Sequence, residues 1–174
     1  MDSKNKEKNA EEIRRMLDMQ EEILQFGHFT NDDATALGNF MLSEAVRKEL
    51  GVAISIRRVS GLTVYQALRE GAKLHDVYSN NRKFNTVVRT EVSSLSWFMR
   101  LKEDDKTMSE AFMDENSYSC SGGGFPVRVE DAGLVAVITV SGLNHVQDHD
   151  FIVKTLSKYL HINEVPRISG ADVQ

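Results

Sequence analysis

Apolar residues return every three to four positions in some stretches of the chain and every second position in others, and these two periods divide it into elements. Ile13, Met16, Leu17, Ile23 and Leu24 form a first helical stripe, with Asn9 and Glu12 at the offset of an N-cap and its N3 acid. Gly27 stops it. A second helix is expected from Thr30 or Asn31, where Asp32 and Asp33 suit the positive end of a helix dipole. Its inward face is Ala34, Leu37, Met41, Ala45 and Leu50, with Gly51 as the stop. From Val52 the period is two: Val52, Ile54 and Ile56 alternate with other residues, Ser60-Gly61 interrupts, and Leu62 to Leu68 completes a hairpin. The helical period returns from His75 to Arg100, carried by Phe84, Val87, Val88, Val92, Leu95 and Phe98 or Met99.

Beyond the charged run Lys102-Glu103-Asp104-Asp105-Lys106, a short helix fits Met108 to Phe112. Three strands are then expected at Tyr118 to Cys120, Phe125 to Val129 and Leu134 to Val140. They are separated by Gly122-Gly123-Gly124 and by Glu130-Asp131-Ala132-Gly133. A last helix, capped by Asp148, buries Ile152, Val153, Leu156, Tyr159 and Leu160, and Pro166 lies past its end. The order ααββαβββα predicts an α+β fold, an antiparallel sheet of about five strands with helices packed on it. The chain divides into a flexible N-terminus (1–9), a single domain (10–165) and a C-terminal tail (166–174).

Composition narrows the function classes. Hydrophobic residues at 41% and charged residues at 27% are ordinary globular usage. The net charge of -5 comes without a basic stripe, so nucleic acid is not an expected partner. No window approaches the run of about 20 apolar residues that spans a bilayer, so no membrane is expected either. Cys120 is the only cysteine, which leaves no internal disulfide and no multi-cysteine metal site. With a polar, non-signal-like start, a cytoplasmic location is expected.

Several residues carry candidate chemistry. Gly122-Gly123-Gly124-Phe125-Pro126 would let backbone N–H groups approach an anion, or would form a bulge; no Gly-Lys-Ser/Thr follows, so it is not a P-loop. His145 and His149 have the i, i+4 spacing of a metal pair but lack the glutamate of a zinc peptidase. In the first turn of a helix, His149 would be held neutral and ligand-competent. Arg82, Lys83 and Arg89 form a basic patch suited to carboxylates, or a solvated helix face. Ser93, Ser94 and Cys120 have no local activating group.

Arg82-Lys83-Phe84-Asn85-Thr86-Val87-Val88-Arg89 with Ser93-Ser94, then Gly122-Gly123-Gly124-Phe125-Pro126-Val127, then Val140-Ser141-Gly142-Leu143 and Asp148-His149, resemble the haem-degrading-domain family of GlcG-like and HbpS-like proteins. The cytoplasmic branch of that family is closest. The resemblance implies a compact domain with an antiparallel sheet, assembly into a homo-oligomer, and a small-molecule ligand, with binding or degradation of haem as the named activity. It implies His149 as the axial iron ligand, Arg82 and Lys83 as propionate partners, and Gly122, Gly123, Gly124, Phe125 and Pro126 as the loop shaping the pocket. The competing expectation is a non-enzymatic homo-oligomeric assembly or adaptor protein, in which the glycine loop and the 75–100 helix make subunit contacts.

Overall fold

A computed structural model describes the backbone of residues 2–170, 172 and 173, and the side chains of that range from residue 9 onward. The elements run α1 (Asp2–Ile23), α2 (Asn31–Arg47), β1 (Ala53–Arg58), β2 (Thr63–Leu68), α3 (Leu74–Thr90), α4 (Ser94–Glu103), β3 (Gly124–Val129), β4 (Gly133–Ser141) and α5 (His145–Tyr159). The fold is α+β, as expected, with the order ααββααββα and one antiparallel sheet of four strands ordered β2-β1-β4-β3. Of the expected 1–9 segment, the backbone is helical from Asp2 and all side chains but that of Asn9 lie outside the described residues.

Three local readings of the sequence are corrected. The expected 75–100 helix is two helices, because Glu91 adopts a left-handed φ of 58° and Ser93 starts a new one, its Oγ accepting from the Ser96 N–H at 3.1 Å. The expected strand at Tyr118 to Cys120 is a loop. Helix α3 occupies the backbone groups that a strand would need: the Ser119 N–H donates to Thr86 Oγ1 at 3.0 Å, and Asn85 Nδ2 donates to the Ser117 carbonyl at 2.8 Å. Helix α5 begins at His145, capped by Asn144, whose Oδ1 accepts from the Gln147 N–H at 2.9 Å; Asp148 lies one turn inside it. Residues 108–112 form turns rather than a helix.

Side chains alternate across the sheet, so its two faces have different chemistry. On one, Ile54 and Ile56 of β1, Phe125 and Val127 of β3 and Ala136, Ile138 and Val140 of β4 meet Leu37 and Met41 of α2 and Ile152 and Leu156 of α5. Each such burial is worth about 1.5–3 kcal/mol, which makes this layer the main core. On the other, α3 packs Phe84 and Val87 on Val137, but around them Ser55, Thr139, Ser141, Asn80, Lys83 and Thr86 are also buried. Asn80 ties that side to the sheet, donating to the Ala53 carbonyl at 3.1 Å and accepting from Ser141 Oγ at 2.7 Å. A further cluster joins α1 to α4, with Leu17, Leu95 and Met99 closed over by Ile168 and Val173 of the C-terminal stretch. Among the described residues no helix is long and apolar enough to cross a membrane.

Candidate functional site

The buried polar layer opens to solvent at one end of the sheet, where α3 and α5 both begin. A cleft of about 280 Å³ lies there, lined by His75, Asp76 and Ser79 of α3, His145 and Asp148 of α5, and Lys83. Lys73 opens α3, its backbone N–H donating to Asp76 Oδ2 at 2.7 Å. Asn144 opens α5, so the starts of two helices, with their positive dipole ends, border the cleft.

Lys83 lies in the floor. Its side chain is 2% exposed, and Nζ donates to the Val140 carbonyl at 2.8 Å and to Asp148 Oδ2 at 3.2 Å. Asp148 Oδ1 accepts from the Leu143 N–H at 3.0 Å, so the carboxylate both holds the strand-to-helix turn and faces the ammonium. Burial pulls the Lys83 amine down, against the pull of Asp148, and pushes the Asp148 carboxyl up to about 6. Half-buried His145 sits edge-on to Phe98, ring centroids 5.4 Å apart, and is held below the usual imidazole range by burial and by Lys83. A neutral imidazole, an amine and a carboxyl therefore share one small cleft, a set able to bind an anion or to pass a proton.

The glycine loop forms the wall behind this floor. Gly123 has φ +111°, and a Cβ there would fall 2.2 Å from the Val140 carbonyl oxygen and 2.8 Å from Lys83 Nζ; one on Gly122 would fall 2.2 Å from the His145 carbonyl oxygen. The Gly124 N–H donates to Ser94 Oγ at 2.9 Å. These glycines permit close approach of α5, β4 and the lysine. Phe125 and Pro126 continue into β3, paired with Ile138 and Val137, and are buried away from the cleft.

The structure thus brings Lys83 and the glycine loop together at the cleft, while His149 packs against Gly122 and Phe125 behind it and Arg82 lies outside its lining. His149 is 1% exposed, its ring 5.9 Å from that of Phe125 and its Nε2 2.7 Å from Gln20 Oε1; Nδ1 is buried without a hydrogen-bond partner. Burial pushes it down to about 4. Arg82 reaches the Glu115 carbonyl at 3.2 Å on the far side of α3. His145 and His149 do share α5, but among the described residues no group of three or more His, Cys, Asp or Glu side chains could hold a metal ion. Sequence reasoning missed Asp148 as the partner of Lys83, and His75, Asp76 and Ser79 as lining. The 65 residues separating the ion pair leave no local signature.

A four-stranded antiparallel sheet between helical layers, with a small polar cleft at its end, defines an α+β domain with a candidate ligand site there. The profile of the HbpS-like family, described as haem degrading protein HbpS-like, matches residues 29–157, and the chain belongs to that family. A UPF0303 protein of Streptomyces coelicolor is 37% identical over 145 residues, which cover 83% of this chain and 91% of that protein. The crystal structure of the Ybr137w protein is similar with a TM-score of 0.78 and 27% identity, over 85% of this chain and 87% of that one. The crystal structure of a PduOC:haem complex is similar with a TM-score of 0.61 and 16% identity, over 74% of this chain and 93% of that one, a likeness of fold.

Proposed function

We propose that this protein is a cytoplasmic small-ligand-binding protein whose cleft takes a carboxylate, with haem, entering by a propionate, as the first candidate ligand. The observation that carries this reading is the buried Lys83–Asp148 pair in the floor of a cleft between two helix starts. A buried charged pair is costly to build and is concentrated at functional sites. The family's description and the haem held by the PduOC neighbour support the choice of tetrapyrrole. The cleft, at the small end of ligand pockets, has room for a propionate arm and not for the macrocycle. The ring would lie over Leu74 and Tyr78, which are 63% and 58% exposed at i, i+4 on the first turns of α3 beside exposed His75. In this reading Lys83 keeps the propionate role, Arg82, held at the Glu115 carbonyl, takes no part in it, the glycine loop shapes the wall, and the iron would take either His75 or, after opening of the core, His149.

Haemin titration tests this. A saturable Soret shift is expected, weakened about 10- to 100-fold by Lys83→Gln, since a hydrogen bond to a charged group is worth about 1.5–3 kcal/mol. His75→Ala and His149→Ala tell the iron ligands apart, because the variant that removes the ligand changes the band shape. Non-saturating spectra identical in all four proteins would remove haem from the proposal.

A second reading, a homo-oligomeric assembly, is favoured by β2, an edge strand that ends in exposed Leu68 and is preceded by exposed Val59 and Leu62. Sedimentation velocity at micromolar concentration decides it, a concentration-independent monomer being the outcome against.

A further inference from the structure

Anion binding alone does not require Lys83 to be where it is. An ammonium that only attracts a carboxylate serves well at a hydrated rim, whereas Lys83 is 2% exposed and shares its environment with Asp148 and the Gly123 backbone. Burial acts on the pair in one sense, favouring a free amine on Lys83 and a protonated carboxyl on Asp148. Desolvation of this kind converts a lysine from a charge into a nucleophile. The other members of the cleft suit the same chemistry. Asp148 Oδ2, 3.2 Å from Nζ, is placed to exchange a proton with it, and His145 is a neutral imidazole on the same wall. Elsewhere in the chain, Lys48 is also held below the usual range by burial, but it lies over the Phe151 ring in an open groove, at 6.0 Å, without such a carboxylate partner.

We propose that Lys83 is a carbonyl-reactive amine that forms an imine with a small aldehyde or 2-oxo acid entering the cleft. The inference rests on the reading of this cleft as the ligand site and adds a reaction to it. Lys83 passes one proton to the Asp148 carboxylate, and the Nζ lone pair attacks the carbonyl carbon. As the C–N bond forms, the carbonyl π pair moves onto oxygen, which takes a proton from the Asp148 carboxyl. The nitrogen of the resulting carbinolamine loses a proton to His145, the hydroxyl leaves as water with a proton returned by the imidazole, and the C=N bond closes. One carbonyl compound and one amine give one imine and one water, with no oxidant or reductant. The volume of about 280 Å³ and the polar lining restrict the partner to a compact, polar carbonyl compound.

Reductive trapping on the unmodified protein tests this without a variant that could misfold. Protein is incubated with glyoxylate or, separately, propionaldehyde, with sodium cyanoborohydride to reduce any imine to a stable secondary amine, and the modified lysines are mapped by peptide mass spectrometry. Lys83 is expected to be modified several-fold faster than exposed Lys73 and Lys106, with a rate that saturates in carbonyl compound, since an amine desolvated beside a general base reacts as the free base while exposed lysines are held protonated. Modification that simply follows exposure, with Lys83 untouched or no faster than Lys73, overturns the proposal. The carboxylate reading has a separate readout: glyoxylate outpaces propionaldehyde at Lys83 and excess acetate slows it. If both aldehydes trap Lys83 equally and acetate has no effect, the imine stands and carboxylate binding falls.

Discussion

The two faces of the sheet solve different problems with the same backbone. Toward α2 and α5, β1, β3 and β4 present Ile54, Ile56, Phe125, Val127, Ile138 and Val140, and the layer is closed by shape and apolar area. Toward α3, the residues between them in sequence include Ser55, Thr139 and Ser141, and closure depends on Asn80 and Lys83 finding particular acceptors. Apolar packing degrades by increments, whereas a buried polar layer fails when one partner is lost. A protein that needs only to fold has no reason to accept the second arrangement, and its end is where the cleft opens.

The largest expected effect follows from that contrast. Lys83→Met or Asp148→Leu alone should cost about 3–5 kcal/mol by stranding a buried charge, while the double variant regains most of the loss. On the apolar face Ile138→Val should cost only about 0.5–1.5 kcal/mol. Urea unfolding of the parent and these four variants checks this, and a double variant as unstable as the sum of the singles would show that the pair is not a unit. Next in size is the wall. Gly122→Ala, whose Cβ would meet the His145 carbonyl, should cost about 1–3 kcal/mol, against a change within about 0.5 kcal/mol for Gly27→Ala, which has open space around it. Equal thermal midpoints for the two variants would contradict the close approach of α5 to the loop.

The contrast also has a pH signature, because the apolar side encloses a histidine and the α1–α4 junction encloses an acid. Burial pushes Glu21 from 4.5 up to about 7, opposed by the Ser93 N–H that donates to it at 2.7 Å and by Arg128. Folded Glu21 keeps a proton that the unfolded chain has lost, so its contribution is full below 4.5 and disappears as pH rises through about 7. His149, pushed from 6.5 down to about 4, works in reverse: its contribution is full above 6.5 and is lost as pH falls toward 4. Between pH 4.5 and 6.5 the two oppose each other. Asp148, raised from 3.8 to about 6, has the sign of Glu21 and is unchanged in the comparison. Glu21→Gln should therefore make stability climb with pH across that window more steeply than in the parent, by up to about 1.4 kcal/mol per pH unit. Parallel profiles would show that folding leaves the proton affinity of Glu21 unchanged.

Much of the apolar side was legible in the sequence. The period-two runs placed β1, β2, β3 and β4 within a residue or two of their observed bounds, and Thr30 was visible as a helix start, which the structure closes with a reciprocal Thr30–Asp33 box. Where the pattern misled, a local exception was hidden inside a continuing period. Val92, Leu95 and Phe98 prolong the apolar stripe of α3 although the backbone breaks at Glu91, a residue with no turn signature. The pattern of Tyr118 to Cys120 predicts a strand, and nothing local reveals that Thr86 and Asn85 hold the backbone of Ser119 and of the preceding Ser117. Lys83 is legible in the sequence only as one of three cations, with Arg82 and Arg89, of a basic patch suited to carboxylates or of a solvated helix face. Its burial and its Asp148 partner depend on β4 and α5 being folded beside α3, and so are tertiary facts.

The environment of His149 has a direction as well as a composition. The Pro166 carbonyl can only accept, and Gln20 Nε2 donates to it at 2.7 Å. The other end of that amide, Oε1, must then accept, so the proton between Gln20 and His149 sits on His149 Nε2. One backbone oxygen near the C-terminus thereby selects the imidazole tautomer more than a helix away, and leaves Nδ1, the partnerless ring nitrogen, as the one with a lone pair. Any electrophile, proton or metal that reaches this ring is obliged to arrive from the Nδ1 edge.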